Sequence, residues 1–341
     1  MSPKEFLSAK KPDWKKIVAE YTKPDLKRSI RELAVTFGPL LVLTILMYLS
    51  LRVSVWLTLA LALPTAGFLV RTFIILHDCG HGSFFQSKTA NDWVGLICGV
   101  LTFTPYYHWR HSHAIHHASS GDLDRRGIGD VMTLTVREYL ALPWYRKISY
   151  RVYRSPLVLF GIAPLLLFLV MHRFPYGPGG KRERWSVHFT NLSLLALFLT
   201  LGYFLGFWNV ILVHLPAFAL ASLAGVWMFY VQHQFEDTYW EHHPEWEYLA
   251  ASLQGSSYYK LPKVLQWFTG NIGFHHIHHL SPKIPNYNLP KAFKENPIFQ
   301  HVTVITFWES LRTISLKLWD EEKRVMVGWK YLRTFRAGAV A

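Results

Sequence analysis

The chain has 341 residues, a formal net charge of +14, 51% hydrophobic and 16% aromatic residues, and a mean hydropathy of +0.14. Only 17% of the residues are charged, against about 25% in soluble domains, and the deficit is concentrated in long apolar stretches; this argues against a soluble fold and for an all-α integral membrane protein. Lys and Arg cluster beside those stretches, as in loops that face an anionic leaflet, so the basic excess does not indicate nucleic acid as a partner.

Residues 1–32 form a charged segment with Lys10, Lys11, Lys15, Lys16, Lys27, Arg28 and Arg31. It has no apolar core and no signal-peptide pattern, which predicts that it stays in the cytoplasm. Residues 33–51 and 53–76 are two apolar runs of spanning length, separated by little more than Arg52, and read as a transmembrane hairpin. Residues 93–107 are too short to span and end in Thr104-Pro105, the mark of a re-entrant or interfacial segment. Residues 156–171, interrupted by Pro164, are borderline. Residues 189–207 and 210–230 form a second hairpin-like pair.

Positive charge flanks the 156–171 run on both sides: Arg146, Lys147, Arg151 and Arg154 before it, Arg173, Lys181, Arg182 and Arg184 after it. The positive-inside rule then favours a run that dips in and returns. That leaves four spans, residues 33–341 as one membrane domain, and both termini inside; the rival arrangement crosses six times. The histidine-bearing stretches form a helical cap on the cytoplasmic side.

Two cysteines, Cys79 and Cys98, supply no C-x-x-C pair, so thiolate zinc, iron–sulfur and disulfide frameworks are all excluded. Histidine, the commonest metal ligand, numbers eighteen. The first cluster, His77-Asp78-Cys79-Gly80-His81, places two imidazoles at i and i+4 on one helix face. The second, His113-Ala114-Ile115-His116-His117, has the i, i+3, i+4 pattern. It returns as His275-His276-Ile277-His278-His279, with His275, His278 and His279 in the matching places. His233, at the exit of the last span, is the candidate ninth ligand.

A structural zinc takes four ligands, so eight or nine histidines imply two metals, and nitrogen-rich sites suit zinc, copper, iron or nickel. No Glu-x-x-His, the motif of soluble di-iron bundles, is present. Asp78, Asp122, Asp124, Glu236 and Asp237 lie close enough in sequence to orient imidazoles. His242-His243 reads as a solvated loop, His276 points away from its neighbours, and His172, His188, His214 and His301 are not expected to be ligands.

In these three boxes the chain resembles the membrane fatty acid desaturase superfamily, and within it the bacterial acyl-lipid (phospholipid) desaturases. The likeness covers residues 37–321. It includes His116-His117-Ala118-Ser119-Ser120-Gly121-Asp122-Leu123-Asp124-Arg125-Arg126-Gly127 and Gly270-Asn271-Ile272-Gly273-Phe274 running into box three and Leu280-Ser281-Pro282. The three-residue gap of box one resembles enzymes of the delta-12 and delta-5 kind. The resemblance implies two iron ions, O2 as co-substrate and a cis double bond as product. It implies that His77, His81, His113, His116, His117, His275, His278 and His279 are ligands, with His233 a weaker match. No His-Pro-Gly-Gly haem motif is present, for Pro178-Gly179-Gly180 follows Gly177. Electrons would then come from a separate ferredoxin or flavodoxin, and the substrate would be the acyl chain of a lipid in the cell membrane. A di-iron hydroxylase or ketolase of alkanes or carotenoids is the rival enzyme. A histidine-rich metal transporter is the rival from another class; it would need ionisable residues near the middle of the spans.

Overall fold

The computed structural model describes residues 13–338, with side chains through Thr334; the first twelve residues of the charged N-terminal segment and the last three of the chain lie outside the described residues. Among the described residues four helices are long and apolar enough to cross a membrane: α1 (Leu26–Ser50), α2 (Val55–His81), and, after several shorter helices, α6 (Lys181–Leu205) and α7 (Phe207–His233). The longer ones between are α3 (Lys88–Leu101), α4 (Tyr106–Ser119) and α5 (Trp144–Tyr153).

Each long helix begins or ends on a residue suited to that task. Asp25 caps α1, its carboxylate accepting from the Arg28 N–H at 3.0 Å. Ser54 caps α2 after a connection of only a few residues, and the Ser50 and Thr58 hydroxyls, both buried, meet at 2.7 Å across the hairpin. Gly206, with φ of 88°, breaks the chain between α6 and α7, a backbone conformation that glycine adopts without steric penalty. The turn therefore falls at Gly206, and Trp208 and Asn209, which the hydropathy pattern leaves between spans, are helical. Similarly α1 and α6 begin before their apolar runs. Helical backbone bonding extends through polar residues, whereas the apolar run marks only the stretch suited to lipid.

Among the aromatic residues near the span ends, Trp56, Trp93 and Trp208 are exposed, as anchors at an interface are. Tyr106 is not one of them: it is fully buried, and its hydroxyl donates to the Cys79 carbonyl at 2.8 Å. Arg71, in the apolar run of α2, is buried against Glu32, the Trp267 carbonyl and the Trp267 ring, 4.1 Å from its centroid. The residues around 156–171 form a π-helical turn (Leu157–Ile162), a short α-helix (Ala163–Leu169) and a 3-10 turn (Met171–Arg173). Together they are bent by 53° from α5.

The cap contains α4, α8 (His275–Leu280), several single turns and short strands. Strands β1 (Leu134–Thr135), β4 (Leu318–Asp320) and β5 (Val325–Val327) make one small sheet, parallel between β1 and β4 and antiparallel between β4 and β5. Strands β2 (Tyr258–Lys260) and β3 (Val304–Thr306) pair in parallel. Buried Arg154 locks the cap to the end of α7, donating to Gln234 Oε1 at 2.9 Å and to the Leu316 carbonyl at 3.0 Å, while Lys317 donates to the Arg154 carbonyl at 2.7 Å. These bonds tie the end of α5 and the segment leading into β4 to the exit of α7.

Candidate metal centre

The last turn of α2 carries His77 and His81, whose ring centroids are 4.7 Å apart. Gly82 ends this helix in the left-handed conformation, φ 64°, immediately after the second imidazole. Helix α4 presents His113, His116 and His117, α7 ends on His233, and α8 presents His275, His278 and His279. All nine histidines singled out from the sequence come together, in two groups. His77, His81, His113, His117 and His278 form one; His116, His233, His275 and His279 form the other. Within each, one nitrogen per residue lies within 4.8 Å of all the others. Boxes two and three are each divided between the groups, so α4 and α8 straddle both.

The nitrogen contacts favour cations. His117 Nε2 is 3.1 Å from His113 Nε2 and 3.0 Å from His278 Nε2, and His275 Nε2 is 2.9 Å from His233 Nε2. Neutral imidazoles can place one proton between a pair of such nitrogens, but not between every pair in a cluster of four or five. Nε2 of His81, His116 and His279 is buried without any hydrogen-bond partner. Inward-facing lone pairs of this kind are costly in a protein interior and are what a metal ion would satisfy. Burial, and then repulsion among neighbouring imidazoles, pushes His113, His117, His275, His278 and His279 well below the usual histidine range. They are held neutral, the form that ligates a metal.

Three imidazoles are oriented from behind. His233 Nδ1 donates to the Gly255 carbonyl at 3.1 Å, His77 Nδ1 lies 3.3 Å from Asp78 Oδ1, and His116 Nδ1 donates to Asp130. Asp78 in turn accepts from the Asn286 backbone N–H at 2.7 Å and from its side-chain amide at 2.8 Å. Of the acidic residues singled out from the sequence, only Asp78 meets a box histidine. Asp122 accepts from His243 at 2.7 Å and Asp124 from His242 at 2.8 Å, so that loop pair is bonded to carboxylates and not simply solvated.

Asp130 was missed because it lies fourteen residues beyond His116 on a loop. A usable signal was Gly127-Ile128-Gly129 before it. Gly129 has φ of 72°, and a Cβ there would sit 3.1 Å from the Ser112 carbonyl oxygen and 3.2 Å from His116 Cβ, so glycine lets this loop close on α4. His276 faces away as expected, donating to the Phe299 carbonyl at 3.0 Å. His108 donates to the Tyr176 carbonyl at 2.7 Å, and His214, within α7, meets the Tyr48 hydroxyl at 3.1 Å.

Comparison with known proteins decides the family. The sequence profile of the fatty acid desaturase family matches residues 54–308. The chain belongs to that family. A fatty acid desaturase of Bacillus subtilis is 45% identical over 329 residues, covering 96% of this chain and 94% of the relative. An sn-1 oleoyl-lipid 12-desaturase of a Picosynechococcus species is 29% identical over 255 residues, 72% of this chain and 71% of the relative. An sn-1 acyl-lipid omega-3 desaturase (ferredoxin) of a Synechocystis species is 30% identical over 233 residues, 64% and 62% respectively. The desaturase is thus a membrane oxidoreductase, and the histidine groups at the ends of its long helices fit the iron-dependent catalysis of its family.

Proposed function

We propose that this desaturase is an O2-dependent acyl-lipid enzyme that introduces a cis double bond into acyl chains of membrane phospholipids. The observation that carries the reading is the convergence of nine histidines into two buried nitrogen groups at the ends of apolar helices. Two irons, one per group, would supply O2 activation and the abstraction of hydrogen from two adjacent methylenes. The chain's own contribution is to keep the imidazoles neutral and aimed, to exclude water, and to position the acyl chain.

The substrate class and donor draw support from relatives named as acyl-lipid desaturases, two of them with ferredoxin in the name. The donor is therefore a ferredoxin, or a flavodoxin in its stead. Delta-5 is the first expected position, from the three-residue gap of box one and the likeness to bacterial phospholipid desaturases, and delta-12 the second.

The site and both termini are assigned to the cytoplasmic face of the cell membrane, with residues 33–341 as one multi-pass domain. Parity supports this. His116 lies beside His233 and His279, so the chain between them crosses an even number of times. With α6 and α7 as two crossings, the bent segment before them enters and returns.

The reading is tested by reconstituting iron-loaded protein in vesicles of a saturated phospholipid with a ferredoxin, its reductase and O2. A cis double bond, located by mass spectrometry after derivatisation, is expected. A bond at another carbon corrects the regiochemistry only, whereas an inserted oxygen moves the enzyme to the hydroxylases.

A further inference from the structure

The two histidine groups differ in their access to solvent. His116, His233, His275 and His279 are all buried, whereas His81 and His113 of the five-histidine group are part-exposed. The rim beside these two is basic. Exposed Lys283 donates to the His81 carbonyl at 2.6 Å and has no ion-pair partner among the described residues. Arg110 lies over the last turn of α2, where a Cβ on Gly80 would be 3.9 Å from its Cγ. Arg110 and Arg182 share the carboxylate of Asp92, at 3.2 and 3.0 Å. Three cations are thus offset by one carboxylate.

Other basic residues are differently engaged. Over the four-histidine group, Arg125 lies 3.8 Å from Asp122 and Arg324 pairs with Glu241, while Asp124 and Glu321 flank His242. On α5, Arg146 and Lys147 sit among exposed Trp144, Tyr145 and Ile148, the composition of a helix lying in a lipid interface.

We propose that an acidic one-electron carrier, an iron–sulfur or flavin protein, docks on the face formed by Arg110, Lys283 and Arg182, and that its electrons enter through the five-histidine group. The inference rests on the desaturase reading, which creates the need for electrons. Each C=C bond formed removes two hydrogens from the acyl chain. One O2, two protons and two electrons join them to give two waters. The electrons leave two reduced carriers, each oxidised by one. Unlike charges steer such an encounter and make it salt-dependent.

Two measurements on the full-length iron-loaded protein test this, with a reduced acidic [2Fe–2S] ferredoxin as the probe. Zero-length carbodiimide cross-linking of the unaltered protein is expected to join ferredoxin carboxylates to Lys283; cross-links that spare Lys283 overturn the proposal. In the second, Lys283→Glu and the milder Lys283→Gln are expected to weaken ferredoxin binding at low salt, the reversal by about tenfold. Iron content and reduction of the site by dithionite should be unchanged. Arg146→Glu should bind ferredoxin as the unaltered chain does. Equal affinity of Lys283→Glu and the unaltered chain sinks the docking face. If the unaltered protein binds ferredoxin but forms no double bond with it, the desaturase reading fails instead, and the two failures are thereby distinguished.

Discussion

His278 of the third box places its Nε2 3.0 Å from Nε2 of His117 in the second, across 161 residues of chain. Its neighbour His276 points the other way and donates to the Phe299 carbonyl. The two positions should therefore separate chemistry from stability. His278→Ala is expected to abolish desaturation. His276→Ala leaves a buried carbonyl unpaired and should cost about 1–3 kcal/mol of stability while retaining iron. Iron content and thermal unfolding of the two variants, measured side by side, check this; loss of iron in His276→Ala at a temperature where the protein remains folded would contradict it.

Asp130 holds His116 from behind, and its second oxygen is buried without a partner. Asp130→Asn preserves volume and removes the charge. Partners of this kind are worth about 10–100-fold in metal affinity or activity, so iron should be lost to a chelator at correspondingly lower concentration. A chelator titration superimposable on that of the unaltered protein would show that Asp130 does not position His116.

Burial lowers the pKa of His113, His117, His275, His278 and His279. In the unfolded chain each titrates near pH 6.5. Below that value the unfolded state binds more protons than the folded one, so stability falls as the pH drops through about 6.5 and is flat above it. The metal-free protein in detergent should show a constant Tm between about pH 8 and pH 7, then a declining one. A Tm that rises on acidification would contradict the neutral, buried state of these imidazoles.

Topology is open to cysteine labelling, since Cys79 and Cys98 are both buried and give little background. Ala118, Gly180 and Arg52 are exposed. In intact cells, cysteines at 118 and 180 should be shielded from an impermeant reagent and one at 52 labelled. Labelling of position 180 from outside would make the bent segment before α6 a crossing.

The apolar runs and the repeated i, i+3, i+4 spacing made the four long helices and the three boxes legible, because both are local properties of the chain. His233 was legible from its place at the exit of an apolar run. The division of His116 from His113 and His117 was not, since a shared helix face does not specify which partner helices it meets. Asp122 and Asp124 were near a box in sequence but bond His243 and His242 across a loop contact. Asp130 was distant in sequence and is adjacent in space. Tyr106 shows the same limit: it lies near a span end in sequence, yet packing of α3 against α4 buries it.

With one iron held by each histidine group, five ligands in one and four in the other, iron per chain and Mössbauer spectra of purified protein should show about two irons in the unaltered chain and about one in each of His278→Ala and His233→Ala, the two variants losing different spectral components. A single iron in the unaltered protein, or two irons retained in His233→Ala, would contradict that arrangement.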